Sequence, residues 1–175
     1  MIGLPGDTKQ KAIATANEVV RLRPDFVRIY PTLVIRDTYL CNMLEDGRYI
    51  PLSLEDAVDI CASVYKIYLD NDINVIRVGL QPTENIVNGG DVRGGPFHPA
   101  FRQLVEARIF RDLIEYEIKK KGITDSVDVY VGYRYISSAV GQGRENIIYL
   151  KNMLGLKDVH VHGVKDTKFG VVIIK

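Results

Sequence analysis

Two runs of β-forming residues, each preceded by a stretch with helical spacing, limit most tightly what this chain can fold into. Phe26-Val27-Arg28-Ile29-Tyr30 and Ile73-Asn74-Val75-Ile76-Arg77-Val78-Gly79-Leu80 are dense in Val, Ile and aromatic residues. The first shows no clean alternation, which predicts a strand buried on both faces, as in a parallel sheet. Ahead of it, Ala12, Ile13, Ala16, Val19 and Val20 recur at helical spacing. Arg23-Pro24-Asp25 ends that helix, because proline disfavours the helical conformation in the residue before it. Ahead of the second run, Ser53 caps a helix whose first turn carries Glu55 and Asp56, acids that suit the positive end of the helix dipole. Leu54, Ala57, Val58, Cys61, Val64, Tyr65 and Tyr68 then lie on one stripe. Strand and helix in alternation mean parallel βα units, in an open sheet or a barrel.

The chain opens on Ile2-Gly3-Leu4-Pro5-Gly6-Asp7-Thr8, a hydrophobic residue handing over to a Gly-x-x-Gly turn and then to a helix cap at Asp7 or Thr8. Such a turn belongs at the carboxyl end of a buried strand. The expectation is therefore a piece of a larger α/β enzyme. Residues 82–100 form a long loop rich in Gly, Asn, Asp and Arg, and loops of that length are usually functional or mobile. A long helix follows, over about residues 100–120, with a basic last turn and Gly122 as its stop. The tail, residues 123–175, reads as a smaller αβ unit. It has a strand at 127–131, helices interrupted by Gly141-Gln142-Gly143, and two final strands around 159–162 and 170–174. The expected division is 1–122 and 123–175.

Composition excludes more than it selects. A formal net charge of +1 gives no global field for nucleic acid or membrane. No apolar run is long enough to span a bilayer, and Gly, Pro and Asp interrupt the amino-terminal stretch at once, so the default compartment is the cytoplasm. Cys41 and Cys61 are too few for a disulfide framework and lack metal-site spacing. Cys61, on an apolar stripe, reads as a small buried hydrophobe.

Five stretches together resemble one family. They are the opening turn, Phe26-Val27-Arg28-Ile29-Tyr30-Pro31-Thr32, Pro51-Leu52-Ser53-Leu54-Glu55, Val75-Ile76-Arg77-Val78-Gly79-Leu80-Gln81-Pro82 and Gly95-Pro96-Phe97-His98-Pro99-Ala100-Phe101. In order and spacing they resemble the radical SAM group that contains the elongator catalytic subunit. That group is described variously as tRNA-modifying, as histone acetyltransferase, or as oxygen-independent coproporphyrinogen-oxidase-like. The resemblance implies an α/β fold: the later βα units of a partial TIM-type barrel, followed by the small αβ appendage. It implies an iron–sulfur oxidoreductase-like parent that pairs S-adenosylmethionine with a [4Fe–4S] cluster and acts on the wobble uridine of tRNA. The alternatives are an acetyltransferase of the elongator subunit family and an RNA-binding module. The cluster of that group needs three cysteines at Cys-x-x-x-Cys-x-x-Cys-like spacing, which Cys41 and Cys61 cannot supply. This stretch alone is therefore expected neither to hold a metal or tightly bound cofactor nor to catalyse the radical reaction. Its implied partners are the missing amino-terminal part of the parent, tRNA, and a second copy paired through an open sheet edge; no membrane is expected.

The resemblance places Gly3, Leu4, Pro5, Gly6 and Asp7 beside bound S-adenosylmethionine, where Gly and Pro allow close backbone approach and free helix amides can meet a polar group. The plain alternative is a strand-to-helix turn. Arg28 and Tyr30 alternate on one strand and Arg77 and Gly79 on the next, with Gln81 beyond. Two arginines inside a barrel need anionic partners, either the methionyl carboxylate or a substrate phosphate, or an internal carboxylate. Tyr30 and Gln81 could contact adenine or substrate. His98 is a substrate or proton-handling residue, or a structural helix start. Arg144, in Gly141-Gln142-Gly143-Arg144, sits in a loop that loosely resembles both the Gly-x-x-Gly loop of KH modules and the acetyl-CoA pyrophosphate loop. It also reads as a simple connection between helices. His160 and His162 share one strand face, a metal pair lacking a third ligand or a solvent-facing edge.

Overall fold

The computed structural model describes residues 1–80 and 90–175. The chain divides into two compact units, Met1–Arg102 and Gln103–Lys175.

The first unit is built on parallel strands. β1 (Phe26–Ile29) pairs in parallel with β3 (Asn74–Val78), and Ile2 makes a parallel bridge to Pro31, just past the end of β1. The helix α1 (Lys9–Arg21) connects Ile2 to β1, and α3 (Leu54–Asp70) precedes β3. Both helices start where side-chain caps allow. Thr8 accepts from the Lys11 amide, and Ser53 accepts from the Asp56 amide at 3.0 Å, each satisfying a donor the helix cannot reach. Helix α1 lies against α3, and α3 against β3. Ala12, Ala16, Ala57, Ile60, Cys61, Val64 and Tyr68 are buried, as are Ile29, Val75 and Val78 on the strands.

The opposite face of this pair corrects the expectation of strands covered on both sides. Phe26, Arg28, Asn74 and Ile76 are exposed. Among the described residues the helices cover one face only. The architecture is mixed α/β with small sheets, and no closed barrel is present among the described residues. Also within the first unit, β2 (Val34–Ile35) pairs antiparallel with β4 (Val92–Gly94). Helix α2 (Tyr39–Glu45), capped by Thr38, seats Cys41 with Val34 and Tyr49 in a small core.

The second unit is a three-stranded sheet in the order β6-β5-β7, formed by β5 (Ser126–Gly132), β6 (Asp158–Val164) and β7 (Ile173–Ile174). β5 and β6 are parallel, and β7 runs antiparallel on the other edge of β5. Helix α4 (Phe101–Lys121) contributes Phe110, Ile114 and Ile118 at i, i+4, i+8 to the core. Helices α5 (Ile136–Val140) and α6 (Glu145–Leu154) add Ala139, Ile147 and Leu150. Val127, Val129, Val131 and Val159 fill the sheet side, while His160 and His162 are exposed on the other face. That is the one-sided alternation expected of this segment.

Candidate active-site turn and paired arginines

The opening turn sits at the carboxyl end of the parallel strands because Ile2 is held beside Tyr30 and Thr32. The Ile2 amide donates to the Tyr30 carbonyl, and the Thr32 amide and hydroxyl both donate to the Ile2 carbonyl, at 2.9 and 2.8 Å. Gly3 and Gly6 then take left-handed backbone, φ +81° and +74°, which glycine adopts without a Cβ penalty. At Gly3 a Cβ would also meet Leu52 Cδ1 at 2.7 Å. Asp7 closes the turn. Its carboxylate accepts from the Gly3 and Thr8 amides, both at 2.9 Å. Tyr49 donates its hydroxyl to the Gly3 carbonyl at 2.5 Å. Burial, and then the nearby Asp7 carboxylate, push the Tyr49 phenol above its ordinary pKa, so it is a donor at any physiological pH. Leu4, Pro5 and Gly6 form the exposed crest, and Lys11 donates to the Gly6 carbonyl at 2.6 Å.

Two amides that a bound anion could have used, those of Gly3 and Thr8, are thus taken by Asp7, and that of Lys11 by Thr8. Tyr49 and Leu52 hold this turn from the segment between α2 and α3. Neither shows in sequence as a site residue, since no periodic pattern covers 46–52.

Arg28 and Arg77 stand opposite one another in the parallel register, and an irregularity between Val27 and Arg28 brings this about. Ile76 is passed over, so Arg77 rather than Ile76 faces Arg28. Arg28 is exposed and makes no ion pair among the described residues; Arg77 is half-buried. Tyr30, half-buried, follows on the same strand direction. The Gly79 amide donates to the Ile29 carbonyl, and Gly79 turns at φ +80° with the Phe101 ring 3.0 Å from where a Cβ would sit.

The remaining expected residues are placed separately. His98 Nδ1 accepts from the Ala100 amide at 3.1 Å, at the start of α4. Arg144 lies in the second unit at the start of α6, exposed, with φ +64°. Its loop runs from helix to helix, and Asn146, buried beneath it, donates to the carbonyls of Ala107, Ser138 and Ala139. Gln81 lies outside the described residues. His162 Nε2 is 2.6 Å from Asp128 Oδ1, with the Tyr130 ring stacked on the imidazole at 4.9 Å.

The thiols do not suit a cluster. Cys41 and Cys61 lie on different helices, both buried. Burial pushes Cys61 up to about 12, and burial followed by Glu45 raises Cys41. A [4Fe–4S] cluster takes about four ligands, chiefly Cys thiolates, and two buried thiols on separate helices do not supply that set. No group of three or more His, Cys, Asp or Glu that could hold a metal occurs among the described residues. Among those residues no helix is long and apolar enough to cross a membrane.

A family model, the Radical_SAM C-terminal domain, matches residues 24–111, half of the chain, spanning β1, α3, β3 and the first half of α4. No curated protein and no solved structure matches the chain.

Proposed function

The chain belongs to the radical SAM C-terminal domain family, and from that premise we propose that it is the rear part of a tRNA-modifying enzyme of the elongator catalytic subunit-like group. The cluster is held by residues outside this sequence. The observation that carries the reading is the coincidence of the family match with an exposed Arg28 that stands in register with half-buried Arg77 on the neighbouring parallel strand. The elongator-like assignment rests on the five stretches in series that the sequence carries.

In this family S-adenosylmethionine and a [4Fe–4S] cluster together supply radical chemistry. What this chain adds is binding and orientation. Arg28, exposed and without an ion pair among the described residues, suits an anion, and a carboxylate meets an arginine fork in two parallel hydrogen bonds. Arg28 takes the methionyl carboxylate, Tyr30 lies along the adenine, and the Gly3–Asp7 turn lets the nucleoside approach the backbone. Arg77, Gln81 and His98 contact the RNA, and Arg144, in the second unit, is a separate RNA contact. The parallel pair continues a barrel whose other units lie with the cluster, in the cytoplasm; where they are absent, the open sheet edge pairs with a second copy.

The test is nucleoside analysis of tRNA incubated anaerobically with the reduced full-length protein, S-adenosylmethionine as the radical source and acetyl-CoA as the source of the added group. A modified wobble uridine is expected, and Arg28→Ala raises the KM for S-adenosylmethionine on the order of tenfold by removing a charge-assisted contact. A full-length protein that cleaves S-adenosylmethionine but leaves tRNA unchanged would overturn the substrate assignment. An Arg28→Ala variant with unaltered KM would overturn the role of the paired arginines.

A further inference from the structure

β5 and β6 run parallel in unbroken register, Gly132 opposite Val164, so the chain leaves both strands at the same end of the sheet. It leaves β5 through the turn Tyr133–Tyr135 and leaves β6 through residues 165–167. The two exits flank a cleft of about 400 Å³, the size of small-molecule sites. Its position, outside the carboxyl ends of parallel strands, is where open α/β sheets take ligands.

The lining has a definite chemistry. Arg134 and Lys165 are both exposed and form no ion pair among the described residues. Asp166 is the single acid lining the cleft, so the charge balance there is positive. Tyr133 packs its ring against Gly163, where a Cβ would collide with it, and remains 60% exposed. The aromatic platform is therefore fixed from behind and open in front. Thr167 closes the second exit by donating its hydroxyl to the Lys165 carbonyl at 3.2 Å, and its own carbonyl lies 2.7 Å from where a Gly132 Cβ would sit.

We propose that this cleft binds a nucleoside monophosphate group, the phosphate between Arg134 and Lys165 and the base stacked on Tyr133. Cations without carboxylate partners select an anion, phosphate makes charge-assisted contacts with both, and an exposed ring held flat suits a planar base. The group is either a free nucleotide or the 5′ end of an RNA strand. The inference stands on the second unit alone and does not depend on the activity proposed above.

The experiment is calorimetric titration of the full-length protein with AMP, adenosine, inorganic phosphate and a 5′-phosphorylated oligoribonucleotide, with hydrogen exchange reporting where they bind. AMP is expected to bind saturably and to protect residues 133–135 and 165–167. Arg134→Gln with Lys165→Gln weakens AMP and phosphate on the order of tenfold or more. Tyr133→Leu weakens AMP and adenosine on the order of tenfold but leaves phosphate unchanged. An oligonucleotide that displaces AMP makes the strand end the source, and one that does not makes it the free nucleotide. Absence of binding by both AMP and the oligonucleotide at millimolar concentration overturns the proposal. So does protection confined to other residues, or affinity unmoved by these substitutions, all three of which lie at exposed positions.

Discussion

Replacing Asn146 tests how the second unit is held together. Asn146 is buried, and its amide nitrogen is within 3.2 Å of three carbonyls, those of Ala107, Ser138 and Ala139. Two N–H bonds serve three acceptors, so at most two full hydrogen bonds form, the third carbonyl sharing. Each buried bond contributes about 1 kcal/mol net, and a carbonyl left without a donor costs about 1–3 kcal/mol. Asn146→Ala therefore loses about 2–4 kcal/mol, and a small cavity adds to that. Asn146→Asp is worse, because a carboxylate presents oxygens to three carbonyl oxygens and must be protonated to donate at all. Urea unfolding followed by circular dichroism reads both through the midpoint. An alanine variant within about 0.5 kcal/mol of the parent, the range of an ordinary surface change, would refute the reasoning. So would an aspartate variant more stable than the alanine variant at neutral pH.

Three other outcomes follow from particular contacts. Gly79→Ala forces a Cβ into φ +80° and to 3.0 Å from the Phe101 ring, and should cost about 1–3 kcal/mol; unchanged thermal unfolding would contradict it. Cys61, at about 12 and fully buried, should resist a thiol reagent at pH 8 in the folded protein and react fully in denaturant; rapid native labelling would contradict the packing. Asp158 is held below its ordinary 3.8, first by the hydrogen bond from Lys151 and then by its charge. A depressed carboxylate stabilises above its unfolded pKa and loses that contribution as pH falls through its folded value. Asp158→Asn should therefore narrow the stability gap to the parent below about pH 4 and widen it at neutral pH; a constant gap from pH 7 to pH 2 would contradict the ion pair.

Much of this fold can be read from residues. Ser53 and Thr8 announce their helices, and the Val127, Val129, Val131 alternation gives the one-sided sheet of the second unit. What escapes reading is set by contacts distant in the chain. Phe26-Val27-Arg28-Ile29 looks two-sided because its exposed face carries an aromatic ring and the long stem of an arginine, which pattern alone cannot tell from core. The pairing of Arg28 with Arg77 depends on the irregular register that skips Ile76, and nothing in either strand marks it. β2 and β4 are short and distant in sequence, so neither has a period to detect. Helix α4 shows Phe101, Val105 and Ile109 plainly, but Phe110, Ile114 and Ile118 form a second stripe that a single-face reading passes over. At the opening turn, glycine and Asp7 are legible as a helix entry, whereas Tyr49 reaching back to Gly3 is not.

The measurement that bears most directly on the whole account is the iron content and electron paramagnetic resonance of the full-length protein after anaerobic reconstitution, with and without Cys41→Ser and Cys61→Ser together. The account predicts four irons per chain (one [4Fe–4S] cluster,) and the same reduced-cluster signal in both proteins, because neither thiol ligates. Loss of iron in the double variant, or an iron-free parent, would contradict it.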